Sequence, residues 1–221
     1  GNSLEFTPTS ALGGRKVYHI SLPSGVITNM AGDSYVGTAY TFSTAAGTAK
    51  LFVWGPNETD NGTDAGQLGL SNAVGYSSPV QLPGSWSVVG SNFPYNTMDY
   101  VWFGAINTDG ELFTWGSNYG GNLGQNNVGE APSGTWRSSP VQVGSDTTWA
   151  SLTIGGRTAS ATKTDGTLWS WGYNSNAGQL GHNNRTNYSS PKQIPGTTWA
   201  TGGSKQCMSD KAGAAIRTDG T

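Results

Sequence analysis

Charge is what this chain has least of. Asp, Glu, Lys and Arg make up only 11% of its 221 residues and the net charge is −2, where an average soluble domain is roughly 25% charged. No basic block occurs, and a surface that neutralises phosphates needs clustered Lys and Arg, so nucleic acid is not an expected partner. The single Cys207 cannot close an internal disulfide, and no Cys/His spacing suggests zinc. Its expected place is that of a small, buried apolar residue. No apolar run approaches the ~18 residues of a membrane span, and no signal-peptide pattern opens the sequence. Histidine occurs twice, at His19 and His182, with no nucleophile or carboxylate at a catalytic spacing. Paired carboxylates can make a glycosidase. Here Asp109, Asp165 and Asp219 fall in Thr-Asp-Gly turns, where Asp has a plain backbone reason to be. No catalytic residue, cofactor or metal is expected.

Low charge can also mean disorder. Nine Trp and nine Tyr argue for a folded chain, because large rings supply the burial that disordered segments lack. The rings are organised. Leu51-Phe52-Val53-Trp54-Gly55 returns as Leu112-Phe113-Thr114-Trp115-Gly116 and as Leu168-Trp169-Ser170-Trp171-Gly172. Behind each copy come a Gly-x-Leu-Gly (66–69, 121–124, 178–181), a Ser-Ser-Pro (77–79, 138–140, 189–191) and a lone Trp86, Trp149 or Trp199. Landmarks in fixed order at a spacing of roughly 50–60 residues mark a repeat architecture.

Within each copy the signals are those of short strands. Asp-Gly at 109–110, 165–166 and 219–220 predicts hairpins, through a type I′ turn with positive φ at both central residues. Alternation then places Phe113 with Trp115, Trp169 with Trp171, and Phe52 with Trp54, on one face of each sheet. Pro79, Pro140 and Pro191 each begin a run that suits only an edge strand. Another strand follows each lone Trp. The expectation is all-β: blades of four antiparallel strands each, stacked as in a propeller. Residues 1–24 stand outside the repeat, with a strand over 16–22, and residues 25–221 form the blades. Trp54, Trp115, Trp171, Trp169, Phe113, Leu68, Leu123 and Leu180 are the expected core.

Trp-Gly, Gly-Gln-Leu-Gly, Ser-Ser-Pro-x-Gln, Trp-Ala, Gly-Gly and Thr-Asp-Gly-Thr-Leu-Trp-Ser-Trp-Gly, in that order, resemble the repeat of the regulator of chromosome condensation family. The resemblance covers about residues 26–221 and is closest in the second and third copies. It implies a β-propeller, seven-bladed in the type members; three Trp-Gly landmarks then make this an incomplete ring or a segment of one. It also implies protein-binding or scaffold roles, among them nucleotide exchange on a small GTPase, enzyme inhibition and phage virion parts. The neutral Asn, Thr, Ser and Gly loops look most like the phage versions. The expected function is therefore a non-enzymatic structural or adhesion module of a virion, tail fibre or capsid-associated, localised to the virion or a cell surface. Its expected partners are other virion or surface proteins and a glycan receptor. The alternative is a regulatory propeller that binds one protein, of GTPase-exchange or enzyme-inhibitor type.

Candidate binding residues lie in the loops. Asn118 and Asn174 stand three residues beyond a landmark Trp, as Asn57 does, where they serve either an Asx-turn or a ligand. Residues 57–64 hold three acidic side chains with Asn, an oxygen-rich set that calcium would accept, though without EF-hand spacing. Copy two alone inserts Glu130-Ala131-Pro132-Ser133-Gly134-Thr135-Trp136. A Trp there either folds back onto its blade or waits for a partner, with Tyr119 and Tyr173 as neighbours on the same rim. Glu130, Pro132, Trp136, Tyr119, Tyr173, Asn118 and Asn174 are thus the candidate binding set.

Overall fold

The strands form where the repeat places them, and the blade pattern is complete twice. A computed structural model describes residues 17–20, 40–43, 49–57, 66–92, 101–128, 136–175, 177–202 and 205–220. Two units emerge from the contacts, 1–48 and 49–221. The first contributes a two-stranded antiparallel sheet, β1 (Val17–Ile20) with β2 (Tyr40–Ser43). The expected boundary at 24/25 and the turn expected at 45–47 lie outside the described residues.

In the second unit, β3 (Leu51–Gly55) pairs antiparallel with β4 (Tyr76–Leu82) as a two-stranded sheet. Next come β5 (Trp86–Val89), β6 (Ser91–Asn92), β7 (Trp102–Asn107), β8 (Leu112–Gly116) and β9 (Arg137–Gln142). Strands β5-β7-β8-β9 make a four-stranded antiparallel blade. β10 (Trp149–Ile154), β11 (Thr158–Lys163), β12 (Leu168–Gly172) and β13 (Tyr188–Ile194) make the next, with β6 added parallel beside β10. β14 (Gln206–Met208) and β15 (Gly213–Ala215) form a last antiparallel pair. The Ser-Ser-Pro strands β9 and β13 are edges, as a missing proline N–H requires.

The hairpins differ from the expected type I′ form. Asn107 and Glu111 share a backbone bond, Gly110 N–H donates to Asn107 O at 3.2 Å, and of the turn residues only Gly110 has positive φ, at 81°. This is a type I turn closed by a left-handed glycine, the usual three-residue hairpin. Lys163, Gly166 and Thr167 repeat it. Asp109 and Asp165 thus stay in the ordinary right-handed region. A second constraint acts on the same glycine: a Cβ on Gly110 would fall 2.2 Å from Thr147 O in the segment leading to the next blade.

The core lies between blades rather than within them. One cluster joins Trp102, Leu123 and Val143 of the first complete blade to Trp149, Leu152, Ile154 and Trp171 of the second. The other joins Val53, Leu68 and Leu82 to Trp86, Ala105 and Trp115. Trp115, Trp171, Leu68, Leu123 and Leu180 are buried, while Phe113 and Trp169 are half-buried against these clusters. Trp54 is a correction. Expected in the core, it is 61% exposed. The reason is visible in its homologues: Trp115 packs on Gly69 and Trp171 on Gly124, each on the Gly-x-Leu-Gly turn of the copy before. No such turn precedes Trp54 among the described residues. Cys207 is a second correction. It is exposed, because on β14 the alternation turns Gln206 and Met208 inward and Cys207 out.

Candidate binding rim

Every blade's third strand runs into a polar loop, and one asparagine organises each loop from inside. Asn57, Asn118 and Asn174 are fully buried. Their side-chain oxygens accept the backbone N–H of Leu68 (2.8 Å), Leu123 (3.1 Å) and Leu180 (3.0 Å), which seats the leucine of Gly-x-Leu-Gly in the core. Their amide groups donate onward, from Asn57 to Asn72 O, from Asn118 to Asn127 Oδ1, and from Asn174 to Asn184 O and Thr186 O. Both ends of each amide are used by its own loop. Asn118 and Asn174 are therefore pins of the loop, unavailable to a ligand, and the reach of their bonds (5 to 12 residues) exceeds a local Asx-turn.

Tyr119 and Tyr173, placed on one rim from sequence, do meet. They meet around Arg157, whose guanidinium carbon stands 5.7 Å from the centre of the Tyr119 ring and 4.2 Å from that of Tyr173. Arg157 follows Gly155-Gly156 in the β10–β11 turn. Its own N–H donates to Asp210 Oδ1 at 2.7 Å, and its Nε lies 3.4 Å from Asp210 Oδ2. The Gly-Gly pair is needed for this approach, since a Cβ on Gly156 would lie 2.8 Å from Asp210 Oδ1. Gln179 ties the neighbourhood, donating to Tyr173 O at 2.8 Å and to Asp210 O at 3.1 Å. With the Arg157 and Asp210 side chains only 15% and 6% exposed, the charge pair anchors the rim beneath two half-buried tyrosines. Arg157 and Asp210 carried no signal in the sequence beyond the Gly-Gly that precedes one of them.

Trp136 is half-buried and begins the segment leading into β9. Glu130, Pro132 and residues 58–64, including the acidic set considered for calcium, lie outside the described residues. Among the described residues no group of His, Cys, Asp and Glu could hold a metal ion.

The fold also creates a serine–histidine contact that spacing hid. Ser170 Oγ lies 2.9 Å from His182 Nε2. The same hydroxyl donates to Leu180 O at 2.7 Å, so its proton is already committed and the imidazole can only donate to it. Copy two has the same bond, from Thr114 Oγ1 to Leu123 O at 2.7 Å, with Gln125 where His182 stands. The contact is thus a variant of a repeated structural bond, not an activated nucleophile. His182 is held below its ordinary pKa first by burial and then by Lys192. Tyr188, edge-on to His182 with ring centres 5.1 Å apart, is lowered chiefly by the hydrogen bond from Lys192.

Compared with known proteins, residues 109–160 and 165–208 match the regulator of chromosome condensation (RCC1) repeat. No curated protein sequence matches the chain. Among solved structures, human WBSCR16 aligns with TM-score 0.56 at 19% identity, over 82% of this chain and 43% of its own. Prp20p from Saccharomyces cerevisiae, a structure described with its binding properties to Gsp1p and histones, aligns with TM-score 0.55 at 14% identity, over 82% and 42%. The yeast RCC1 (Prp20) structure in complex with Kap60 gives TM-score 0.55 at 15% identity, over 82% and 41%. These likenesses show the propeller-blade fold, and the chain spans about two fifths of the length of each structure.

Proposed function

We propose that this chain, which carries repeats of the regulator of chromosome condensation family over residues 109–160 and 165–208, is a non-enzymatic propeller module that binds a protein through its loop rim. The observation that carries this is the Tyr119–Arg157–Tyr173 arrangement, two half-buried rings held on a buried ion pair. Tyrosine, Trp and Arg dominate binding hot spots because a stiff ring supplies contact area at little entropic cost. Polar groups near the rim are spent on the fold: the loop asparagines on leucine N–H groups, Ser170 on a carbonyl. That Prp20p, of similar fold, is described with Gsp1p, histones and Kap60 supports a protein as the ligand class. Affinity capture from the source organism, with the chain and its Tyr173→Ala and Trp136→Ala variants, tests it. One stoichiometric partner, lost in a variant that still melts cooperatively, is the expected result. Hydrolysis of an ester or glycoside panel that disappears with Ser170→Ala would overturn the non-enzymatic reading.

A narrower reading makes the partners other virion or surface proteins. The neutral, self-similar loops favour it: 11% charge and amide-rich connections suit a passive particle component. Detecting the chain in purified particles tests that reading, and its recovery only from host cytosol would end it.

A further inference from the structure

Copy two departs from its neighbours in the linker before the lone tryptophan. In copies one and three that linker opens on Pro-Gly, at 83–84 and 195–196. There the indole N–H donates to the proline carbonyl, Trp86 to Pro83 O at 3.2 Å and Trp199 to Pro195 O at 3.3 Å. The glycine lies against the ring: a Cβ on Gly84 would fall 3.1 Å from Trp86 Nε1, and one on Gly196 3.2 Å from Trp199 Nε1. Copy two has no proline and runs Val143-Gly144-Ser145-Asp146-Thr147-Thr148-Trp149. A Cβ on Gly144 would have nothing within 4 Å, so this glycine stands off the ring. Trp149 is 4% exposed, and its buried Nε1 has no acceptor among the described residues. A buried donor without an acceptor is costly and rare.

A cleft of about 290 Å³ lies at this linker, lined by Trp149, Trp169, Val143, Pro191, Gln125 and Asp146. It sits between the two complete blades, so its walls are described strands and the loops that join them. Trp169 is the second residue of β12, whereas Tyr173 of the rim follows the last. The cleft is therefore apart from the rim and does not rest on the protein-binding reading. Its walls are stiff. Trp149 and Trp169 meet edge to face, ring centres 6.1 Å apart at 74°. Lys163 Nζ stands 4.8 Å and 4.2 Å from those centres and 2.9 Å from Asp146 Oδ2. Trp169 Nε1–H donates to Thr167 Oγ1 at 2.9 Å.

The cleft thus joins an apolar indole corner to a carboxylate whose side chain is 55% exposed. Indoles at 74° present no parallel faces to sandwich a flat aromatic ligand. An acidic ligand would meet Asp146, whose cation Lys163 is buried and already engaged. A neutral sugar suits both features. The C–H face of a pyranose packs on the negative face of an indole, and its hydroxyls donate to a carboxylate. The volume is near the lower end of the ~300–1,000 Å³ of ligand pockets, which suits one or two sugar rings. We propose that this cleft binds a neutral saccharide. A pyranose ring rests on Trp169, its hydroxyls donate to Asp146, and a sugar oxygen accepts the N–H of Trp149 that the linker no longer serves.

An array of neutral and acidic oligosaccharides, probed with the labelled 221-residue chain, tests this, followed by calorimetric titration with the glycan captured. The chain captures a neutral oligosaccharide and passes over those with uronic or sialic acid. Trp169→Ala and Asp146→Asn each weaken binding by about 10-fold or more. Replacing Gly144-Ser145-Asp146 with Pro-Gly, as in copy three, abolishes binding while restoring the carbonyl that the indoles of copies one and three use. Tyr173→Ala, on the rim, binds the glycan as wild type does. Thermal melts check that each variant is folded. In wild type the Trp149 indole N–H resonance, assigned with Trp149→Phe, moves on saturation with the glycan. Capture of no neutral glycan, a preference for acidic ones, or binding that survives both Trp169→Ala and the linker exchange would each overturn the proposal.

Discussion

Trp54 and Trp171 occupy the same place in the same motif, and the structure assigns them opposite energetic weights. Trp171 is wholly buried, its indole N–H donates to Asn122 O at 2.8 Å, and its ring lies 6.4 Å from that of Trp149. Burying such a ring removes on the order of 200 Å² from water, worth ~5 kcal/mol at ~25 cal/mol/Å². Trp171→Ala loses that, leaves a void beside Gly124 and Val143 that the rigid blades cannot close, and strands the Asn122 carbonyl. A cost of about 3–5 kcal/mol follows, a large share of the ~5–15 kcal/mol that holds a domain together. Trp54→Ala loses under about 2 kcal/mol, since most of its ring is already in water and no enclosed void forms. The assay is urea unfolding of both variants by far-UV circular dichroism. Equal midpoint shifts, or a Trp171→Ala cost below about 1 kcal/mol, would refute the view that the strength of this fold resides at the blade junctions.

The junction glycines give a paired test. Gly121→Ala forces a Cβ to 2.7 Å from Ser189 Cβ as well as a φ of 82°, and costs about 2–4 kcal/mol, whereas Gly144→Ala, at φ 65°, has no atom within 4 Å of its Cβ and costs only the ~1–2 kcal/mol of the left-handed backbone; thermal melts separate them. Asn174→Ala deprives the buried Leu180 N–H of its acceptor and lowers stability by about 1–3 kcal/mol, read from the thermal midpoint. His182 is neutral more readily in the folded chain than in the unfolded one, whose imidazole titrates near ~6.5. Below that pH the unfolded state binds more protons, so stability present at neutral pH declines as pH falls through the depressed folded value. His182→Gln, the residue copy two uses at Gln125, leaves the melting temperature at pH 8 unchanged and flattens its decline between pH 7 and 5.

Local pattern sufficed for what is local. Thr-Asp-Gly marked the hairpins, Pro140 and Pro191 marked edges, and the spacing of Trp and Gly-x-Leu-Gly marked the blades, because each depends on backbone restrictions of the residue itself. The turn type was missed for a similar reason: Asp-Gly announces a left-handed glycine, but whether the preceding residue joins it depends on loop length in three dimensions. What could not be read was anything decided by a neighbour. Trp54 has the same sequence context as Trp171, yet among the described residues no turn precedes it to receive its ring. Arg157 and Asp210 lie 53 residues apart, and Ser170 meets His182 only because two loops fold over one strand. Asn118 and Asn174 looked like binding residues since amides in loops often are; their burial comes from the leucine they hold.

A single economy underlies these outcomes. The indole of one copy rests on bare glycine backbone of the copy before, so a large residue and a missing side chain are halves of the same contact, written far apart in each repeat. Neither half can bury itself. The Trp strand alone leaves an open ring in water, as Trp54 does, and the Gly-x-Leu-Gly turn alone leaves a cleft, as residues 178–181 do. Stability in such an array is a sum over junctions rather than over blades. Each added copy closes one more junction. The rim of tyrosines around Arg157 lies on loops that the closed junctions fix in place, so rigidity at the glycine contacts is also what makes the rim a preformed surface. Loosening a junction by Gly121→Ala should then weaken partner binding at Tyr119 and Tyr173 without touching either ring. A rim affinity unchanged in that variant would mean that the loops are held by their asparagines alone.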